Sequence, residues 1–186
     1  EYMFIMMNMA RHAVGIEAYA IAERAYQRAL VYAEERIQGR GVGMHDDGRV
    51  PIIKHPDVCR MLLEMKCRID AMRALSLYTA AAEDRAIHHI EEEDRLRNQN
   101  LVDVLIPIVK GWSSELGNDV AGRALQVFGG MGFIEEAGAA QHYRDARITT
   151  IYEGTTGIQA ADLVRRKLLS DGGGLIRETI LTIQAD

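Results

Sequence analysis

Residues 58–75 read VCRMLLEMKCRIDAMRAL, and this stretch decides the fold class. Its apolar side chains return every three or four residues, which is the spacing of one face of an α-helix. The same spacing recurs across residues 2–37, which contain almost no helix breaker. Prolines occur at only three of 186 positions, and no segment shows the alternation of a half-buried strand. The sequence therefore predicts an all-α fold, an antiparallel up-down helix bundle.

Breaker residues predict where the first two helices end. The glycine-rich segment 39–48 should end the first helix, and residues 49–54 should form an exposed connection. Pro56 suits a first helical position, and Asp57 suits the positive end of the helix dipole. A second helix is therefore expected from there to about Arg95.

A third helical region is expected at about 99–130, with an interruption at Gly111 or Gly117. Shorter helices should follow at about 137–147 and 156–169. Residues 1–170 are then expected to form one helical bundle domain of a longer protein. Residues 171–186 are expected to be the truncated start of a further segment.

Composition limits the function classes. The net charge of −5 argues against nucleic acid as a partner, because phosphate binding needs a concentrated basic face. No apolar run approaches the length of a membrane span, and no signal peptide is visible. Cys59 and Cys67 lie about 12 Å apart along one predicted helix, beyond disulfide reach. Reduced thiols are typical of a reducing compartment, so a cytoplasmic protein is expected.

The stretch from Ile151 to Thr156 places a single carboxylate, Glu153, in a tight polar turn. An isolated glutamate in a turn is usually a solvated surface residue. Here the bulky Ile151 and Tyr152 should bring the turn against a packed surface, and Gly154 permits close backbone approach. Partly apolar surroundings raise the pKa of a carboxyl group, which suits Glu153 to act as a base near neutral pH. The next residue, Thr155, is a plausible N-cap for the last helix.

Residues 126–133 read QVFGGMGF and form a glycine-rich helix end. One interpretation is an ordinary C-cap, because Gly129 and Gly130 are common helix terminators. The other interpretation is a site where the exposed backbone approaches a flat cofactor closely.

Segments 151–156 and 126–133 resemble, in their residues and in their spacing, the C-terminal domain of the flavin-dependent acyl-CoA dehydrogenases. The resemblance runs from about Met9 to Lys167. It implies FAD as cofactor and α,β-desaturation of an acyl-CoA, with electrons leaving through an electron-transferring flavoprotein. It also implies that the domain packs into a homodimer or homotetramer, and that the chain alone is inactive.

The resemblance also implies roles for particular residues. Glu153 would remove the α-proton of the thioester while the β-hydride passes to flavin, and Tyr152 and Gly154 would line the substrate site. The implied cofactor contacts are Arg36, Gln126, Gly129, Gly130 and Thr155. Gln126 and the glycines would approach the FAD across a dimer interface.

Arg36 has two interpretations. It is either an exposed arginine favoured by the helix dipole or the family arginine that contacts FAD from the partner subunit. The variants Arg36-Ile-Gln-Gly39 and His55-Pro56-Asp57 resemble the longer bacterial branch of the family. That branch includes enzymes acting on methylthio-substituted and other substituted acyl-CoAs.

Three further residue pairs are expected to be structural rather than catalytic or metal-binding. Arg144 and Asp145 are expected to form an ion pair that orients the following turn. The pairs His88/Glu92 and His89/Glu93 have helical i, i+4 spacing, but on different faces, so a solvated face is favoured over a metal site.

Two rival functions remain open from the sequence. One is an acyl-CoA oxidase with the same base. The other is a non-catalytic helical module used for oligomerisation, in which Glu153 is only a surface residue.

Overall fold

The computed structural model describes residues 2–43, 48–169 and 172–185. Seven α-helices lie in this part of the chain: α1 (Tyr2–Glu35), α2 (Pro56–His88), α3 (Glu92–Phe128), α4 (Gly130–Phe133), α5 (Ala139–Ile148), α6 (Thr156–Asp162) and α7 (Gly174–Ala185). Short 3₁₀ turns occupy Ile52–Lys54 and Glu135–Ala137, and a π-helical turn, Leu163–Leu168, continues α6. The described residues form no sheet, which confirms the predicted all-α fold.

The contacts between helices give an up-down-up-down bundle. The Tyr32 and Phe128 rings stack at 4.3 Å near the C-terminal ends of α1 and α3, so these two helices run parallel. The helix α2 runs antiparallel to α1, since the His12 imidazole meets the Ser76 hydroxyl at 3.0 Å. The segment α5–α6 returns along α3, with Thr149 beside Ser114 and Lys167 beside Asp103.

Small side chains set the distance between α1 and α3. The buried face of α1 is a row of alanines: Ala18, Ala22, Ala25, Ala29 and Ala33. The backbones come so close that a Cβ added to Gly117 would lie 2.9 Å from the Ala18 carbonyl oxygen. Larger side chains of α2 fill the remaining core, among them Met65, Ile69 and Met72.

The predicted helix boundaries are correct at some positions and wrong at others. Pro56 begins α2 with Asp57 in its first turn, as predicted. The expected continuation to Arg95 is wrong, because α2 ends at His88 and the extended residue His89 turns the chain. Three acidic residues open α3 directly afterwards, where they complement the positive helix dipole.

The expected interruption at Gly111 or Gly117 is also wrong, because α3 is continuous through both. Each glycine is a buried site of close packing, with Gly111 against the stem of Gln159. The predicted exposed connection at 49–54 is only partly exposed. Ile52 is buried there and its N–H donates to the Arg36 carbonyl at 2.8 Å.

Parts of two sequence-based predictions lie outside the described residues. Positions 44–47 of the glycine-rich segment 39–48 and Asp171, where the truncated further segment is expected to begin, are among them. Among the described residues, no helix combines the length and apolarity that a membrane span requires. Cys59 and Cys67 are both exposed free thiols.

Candidate functional site

The connection between α5 and α6, here called the Glu153 turn (residues 151–155), contains an unusual backbone conformation. Glu153 has a φ of 53°, the left-handed region, and no other described non-glycine residue has a positive φ. Gly154 follows with a φ of 89°. A left-handed non-glycine residue costs free energy and persists only where surrounding contacts hold it. Such residues are concentrated at functional sites.

Two buried side chains donate hydrogen bonds to the carbonyls of this turn from the core side. Lys110, on α3, is fully buried, and its Nζ donates to the Gly154 carbonyl at 2.5 Å. Gln159, on α6, is 1% exposed, and its Nε2 lies 3.2 Å from the carbonyls of both Glu153 and Gly154. Gly154 is required here, since an added Cβ would lie 2.7 Å from that amide nitrogen.

Polar contacts dock both flanks of the turn on α3. Thr155 is the N-cap of α6, as predicted, and its hydroxyl accepts from the Ile158 N–H at 3.4 Å. The Thr156 hydroxyl donates to the Glu115 carboxylate at 2.6 Å. Before the turn, Ser114 donates to the Thr149 carbonyl at 2.9 Å. The turn is therefore fixed to a rigid element on both sides.

The aromatic residue of the turn reaches α1. The Tyr152 hydroxyl donates to the Glu17 carboxylate. Burial, followed by this hydrogen bond, raises the pKa of Tyr152 to about 12, so it stays a neutral donor at physiological pH. Ile151, by contrast, is 50% exposed, and the Glu153 side chain is exposed. The apolar surroundings expected around Glu153 are therefore not supplied by the described residues.

The other sequence-based candidates lie at a different place. Gln126 and Gly130 are exposed at the end of α3, and Gly129 caps that helix with a φ of 59°. The stacked Tyr32 and Phe128 rings bring the exposed Arg36 to the same end of the bundle. Residues 36 and 126–130 are called the glycine end below.

The glycine end is far from the Glu153 turn within one chain. Gln126 follows Lys110 by 16 residues on the same helix, which is about 24 Å at roughly 1.5 Å per residue. The structure thus brings Tyr152, Glu153, Gly154 and Thr155 together and keeps them apart from the glycine end.

Two sequence-based interpretations need correction. Arg144 pairs with Glu135 rather than with Asp145, through two 2.5 Å hydrogen bonds between exposed side chains. This pair lies on the surface and spans α5 and the preceding turn, so it does not orient the Glu153 turn. His88 and His89 do not share one continuous helix with Glu92 and Glu93, because α2 ends at His88, so the predicted i, i+4 spacing is absent. Among the described residues, no group of three or more His, Cys, Asp or Glu side chains has the geometry of a metal site.

Sequence reasoning missed the residues that support the turn. Lys110 ends the apolar run from Val104 to Val109, on the face that α3 buries. A single cation on a buried helix face requires a partner. The position of Lys110 after this apolar run was therefore the feature of the sequence that could have revealed its role. The buried pair between Arg11 and Asp162, at 2.9 Å, gave no local signal because its partners are 151 residues apart in sequence.

Comparisons with known proteins agree with this architecture. The family model described as acyl-CoA dehydrogenase, C-terminal domain, matches residues 1–168. The chain is 54% identical over 177 residues to 3-methylmercaptopropionyl-CoA dehydrogenase of Ruegeria pomeroyi, covering 95% of the chain and 30% of that protein. It is 39% identical to a broad-specificity linear acyl-CoA dehydrogenase of Mycobacterium tuberculosis, covering 92% of the chain and 29% of that protein. The solved structure of butyryl-CoA dehydrogenase from Megasphaera elsdenii superimposes with a TM-score of 0.72 at 30% identity, covering 88% of the chain and 37% of that structure.

Proposed function

Because the chain belongs to the acyl-CoA dehydrogenase family, we propose that it supplies the wall of the active site that carries the catalytic base, Glu153. The chain spans about 30% of the length of these two curated relatives. The proposed activity is therefore that of the whole protein, a FAD-dependent desaturation of an acyl-CoA thioester. Electrons are proposed to leave through an electron-transferring flavoprotein.

The conformation of the Glu153 turn is the observation that carries this proposal. The backbone of Glu153 is left-handed, and the residue is exposed on the surface of this domain. An exposed carboxylate on a rigid support is suited to meet a substrate held by another part of the protein. A solvated surface glutamate would need neither the left-handed conformation nor two buried donors beneath it.

The proposed step breaks the α C–H bond of the thioester and transfers that proton to a Glu153 carboxylate oxygen. FAD, when bound, supplies the acceptor for the hydride from the β-carbon. Tyr152 and Gly154 flank the base and are proposed to contact the acyl chain. The hydrogen bond from Tyr152 to Glu17 holds this aromatic ring in place.

The glycine end fits a flat or phosphate-bearing group. A Cβ added to Gly129 or Gly130 would meet no atom within 4 Å, so the backbone there is open to a ligand. Arg36 supplies a positive charge at the same end of the bundle. We propose that Arg36, Gln126, Gly129 and Gly130 contact the FAD of a neighbouring subunit and that Thr155 contacts the FAD of its own subunit.

Replacing Glu153 by Gln in the full-length, flavin-loaded protein tests the base. The amide keeps the size and hydrogen-bonding reach of the side chain but cannot accept the α-proton. Flavin reduction by acyl-CoA should fall by roughly 10²–10⁴-fold. FAD content and acyl-CoA affinity should stay near wild type, so that the loss appears in kcat.

Glu136→Gln is the matched control, because Glu136 is also exposed and lies outside the turn. It should leave the rate unchanged. Flavin bleaching at the wild-type rate in Glu153→Gln would show that another residue is the base.

A further inference from the structure

Lys110 is a buried cation on the face that α3 turns toward the core. Its side chain is 0% exposed, and it lies between the apolar residue Val109 and the close-packed Gly111. The acceptor found for its ammonium is the Gly154 carbonyl, one residue beyond Glu153. Burying a charged group is costly unless it is paired, so a lysine at this position indicates a role beyond packing.

The surroundings do not favour the charge. Burial lowers the pKa of Lys110, and repulsion from Arg11 on α1 lowers it further. Glu115 on α3 and Glu153 on the turn act in the opposite direction. Arg11 itself is paired with Asp162 of α6 at 2.9 Å. The compensation for this buried cation therefore comes from Glu115 of α3 and from the Glu153 turn, which supplies both the Glu153 carboxylate and the Gly154 carbonyl.

Two donors converge on one acceptor in this arrangement. The Lys110 ammonium and the Gln159 amide both donate to the Gly154 carbonyl, at 2.5 and 3.2 Å. With the oxygens of Glu153 and Gly154 bound by these buried donors, the peptides on either side of the Gly154 Cα have a fixed orientation. The peptide between Glu153 and Gly154 is one of the two that flank the Glu153 Cα, so holding it restrains the direction of the Glu153 Cα–Cβ bond.

We propose that Lys110 is a positioning residue for the catalytic base, holding the Gly154 carbonyl and thereby the left-handed backbone that directs the Glu153 carboxylate. The proposal rests on the function proposed above for Glu153. Lys110 has no contact with the substrate in this role and acts only through the turn. Its effect on the rate therefore depends on the presence of a functional Glu153.

A double-mutant cycle in the full-length, flavin-loaded protein tests this dependence. Lys110→Met keeps most of the stem and removes the ammonium. In the wild-type background the rate of flavin reduction should fall by roughly 10–10²-fold, the scale expected for a displaced catalytic group. In the Glu153→Gln background the same change should alter the residual rate less than twofold, since the base is already absent.

Ser113→Ala is the matched control. Ser113 lies one turn along the same helix, is also fully buried, and has no hydrogen-bond partner for its hydroxyl among the described residues. Its loss should leave the rate unchanged in both backgrounds. Rates are expressed per bound FAD and at saturating acyl-CoA in all variants, so that changes in binding do not enter the cycle.

The outcomes separate this inference from the proposed function. Wild-type rates in Glu153→Gln refute the base and, with it, the role of Lys110. A large loss in Glu153→Gln together with equal effects of Lys110→Met in both backgrounds refutes the positioning role alone. Lys110→Gln, which removes the charge but keeps a polar side chain, repeats the cycle if the methionine variant does not accumulate. Absence of folded, flavin-loaded protein in both variants also overturns the proposal, because the lysine would then support the fold.

Discussion

Glu153 occupies a left-handed backbone conformation that non-glycine residues rarely adopt. Its φ of 53° costs on the order of 1–3 kcal/mol relative to an unstrained residue. Lys110 and Gln159 offset that cost by binding the two carbonyls of the turn. Gly154, which follows, cannot be replaced without displacing Gln159. The proposed base is thus held by its neighbours at a place where glycine would be favoured.

Glu153→Gly should therefore stabilise the 186-residue chain or leave its stability unchanged. Removing the Cβ relieves the left-handed strain, and the greater entropy of unfolded glycine offsets part of this gain. The free energy of unfolding in urea should rise by up to about 1 kcal/mol. Glu136→Gly is the control, because Glu136 lies in a 3₁₀ turn without a positive φ and should lose about 0.5–1 kcal/mol. A larger loss of unfolding free energy for Glu153→Gly than for the control would show that the left-handed conformation does not strain Glu153.

At the scale of elements, the close contact between α1 and α3 explains where sequence reasoning succeeded and failed. Hydrophobic periodicity predicted the bundle and most helix positions, because burial of one face dominates helix packing. It wrongly placed a break at Gly111 or Gly117, because a glycine that ends a helix and one that admits a neighbouring backbone look alike in sequence. Thr155 was identified as an N-cap from its neighbours alone, since capping is a local interaction.

The support beneath the turn was not predictable in the same way. Lys110 and Gly154 are 44 residues apart, and their contact exists only once α6 has returned along α3. The sequence around either residue does not indicate that the other is its partner. The sequence thus predicted a turn at Glu153, whereas the buried donors that fix its conformation required the tertiary structure.

Gly117→Ala should destabilise the bundle by roughly 1–3 kcal/mol, because the new methyl group would lie 2.9 Å from the Ala18 carbonyl oxygen. The two helices would have to separate to admit it. Gly122→Ala is the matched control on the same helix, since its Cβ would meet only the exposed Tyr143 ring, at 3.4 Å. The control should be neutral or gain up to about 1 kcal/mol from helix propensity. Equal urea midpoints for the two variants would contradict the close approach of α1 and α3 at Gly117.

At the scale of the whole molecule, the domain leaves parts of its proposed site open. On α1, Met6, Met9 and Ile16 are 69%, 68% and 41% exposed. Apolar side chains in such positions are typical of surfaces that meet another domain or subunit. The glycine end lies about 24 Å along α3 from Lys110, so no single side chain bridges the two places. This separation is the basis for proposing that the cofactor site is shared between two subunits.

Complementation between two inactive variants tests the shared site. In a dimer with shared sites, each FAD would meet Glu153 of one chain and Arg36 of the other. Glu153→Gln and Arg36→Ala proteins should each be impaired alone. When the two full-length proteins are unfolded, mixed in equal amounts and refolded with FAD, half of the dimers are mixed. Each mixed dimer contains one site with both native residues, so roughly a quarter of the wild-type activity should return.

The alternative arrangement gives the opposite result. If Glu153 and Arg36 of the same chain served the same FAD, every site in a mixed dimer would lack one of them, and no activity would return. Refolding each variant by itself through the same procedure is the control for recovery. Sedimentation of the refolded mixture shows whether the chains associate. Association without recovered activity would therefore reject the shared site, and a mixture that stays monomeric would reject the assembly on which it depends.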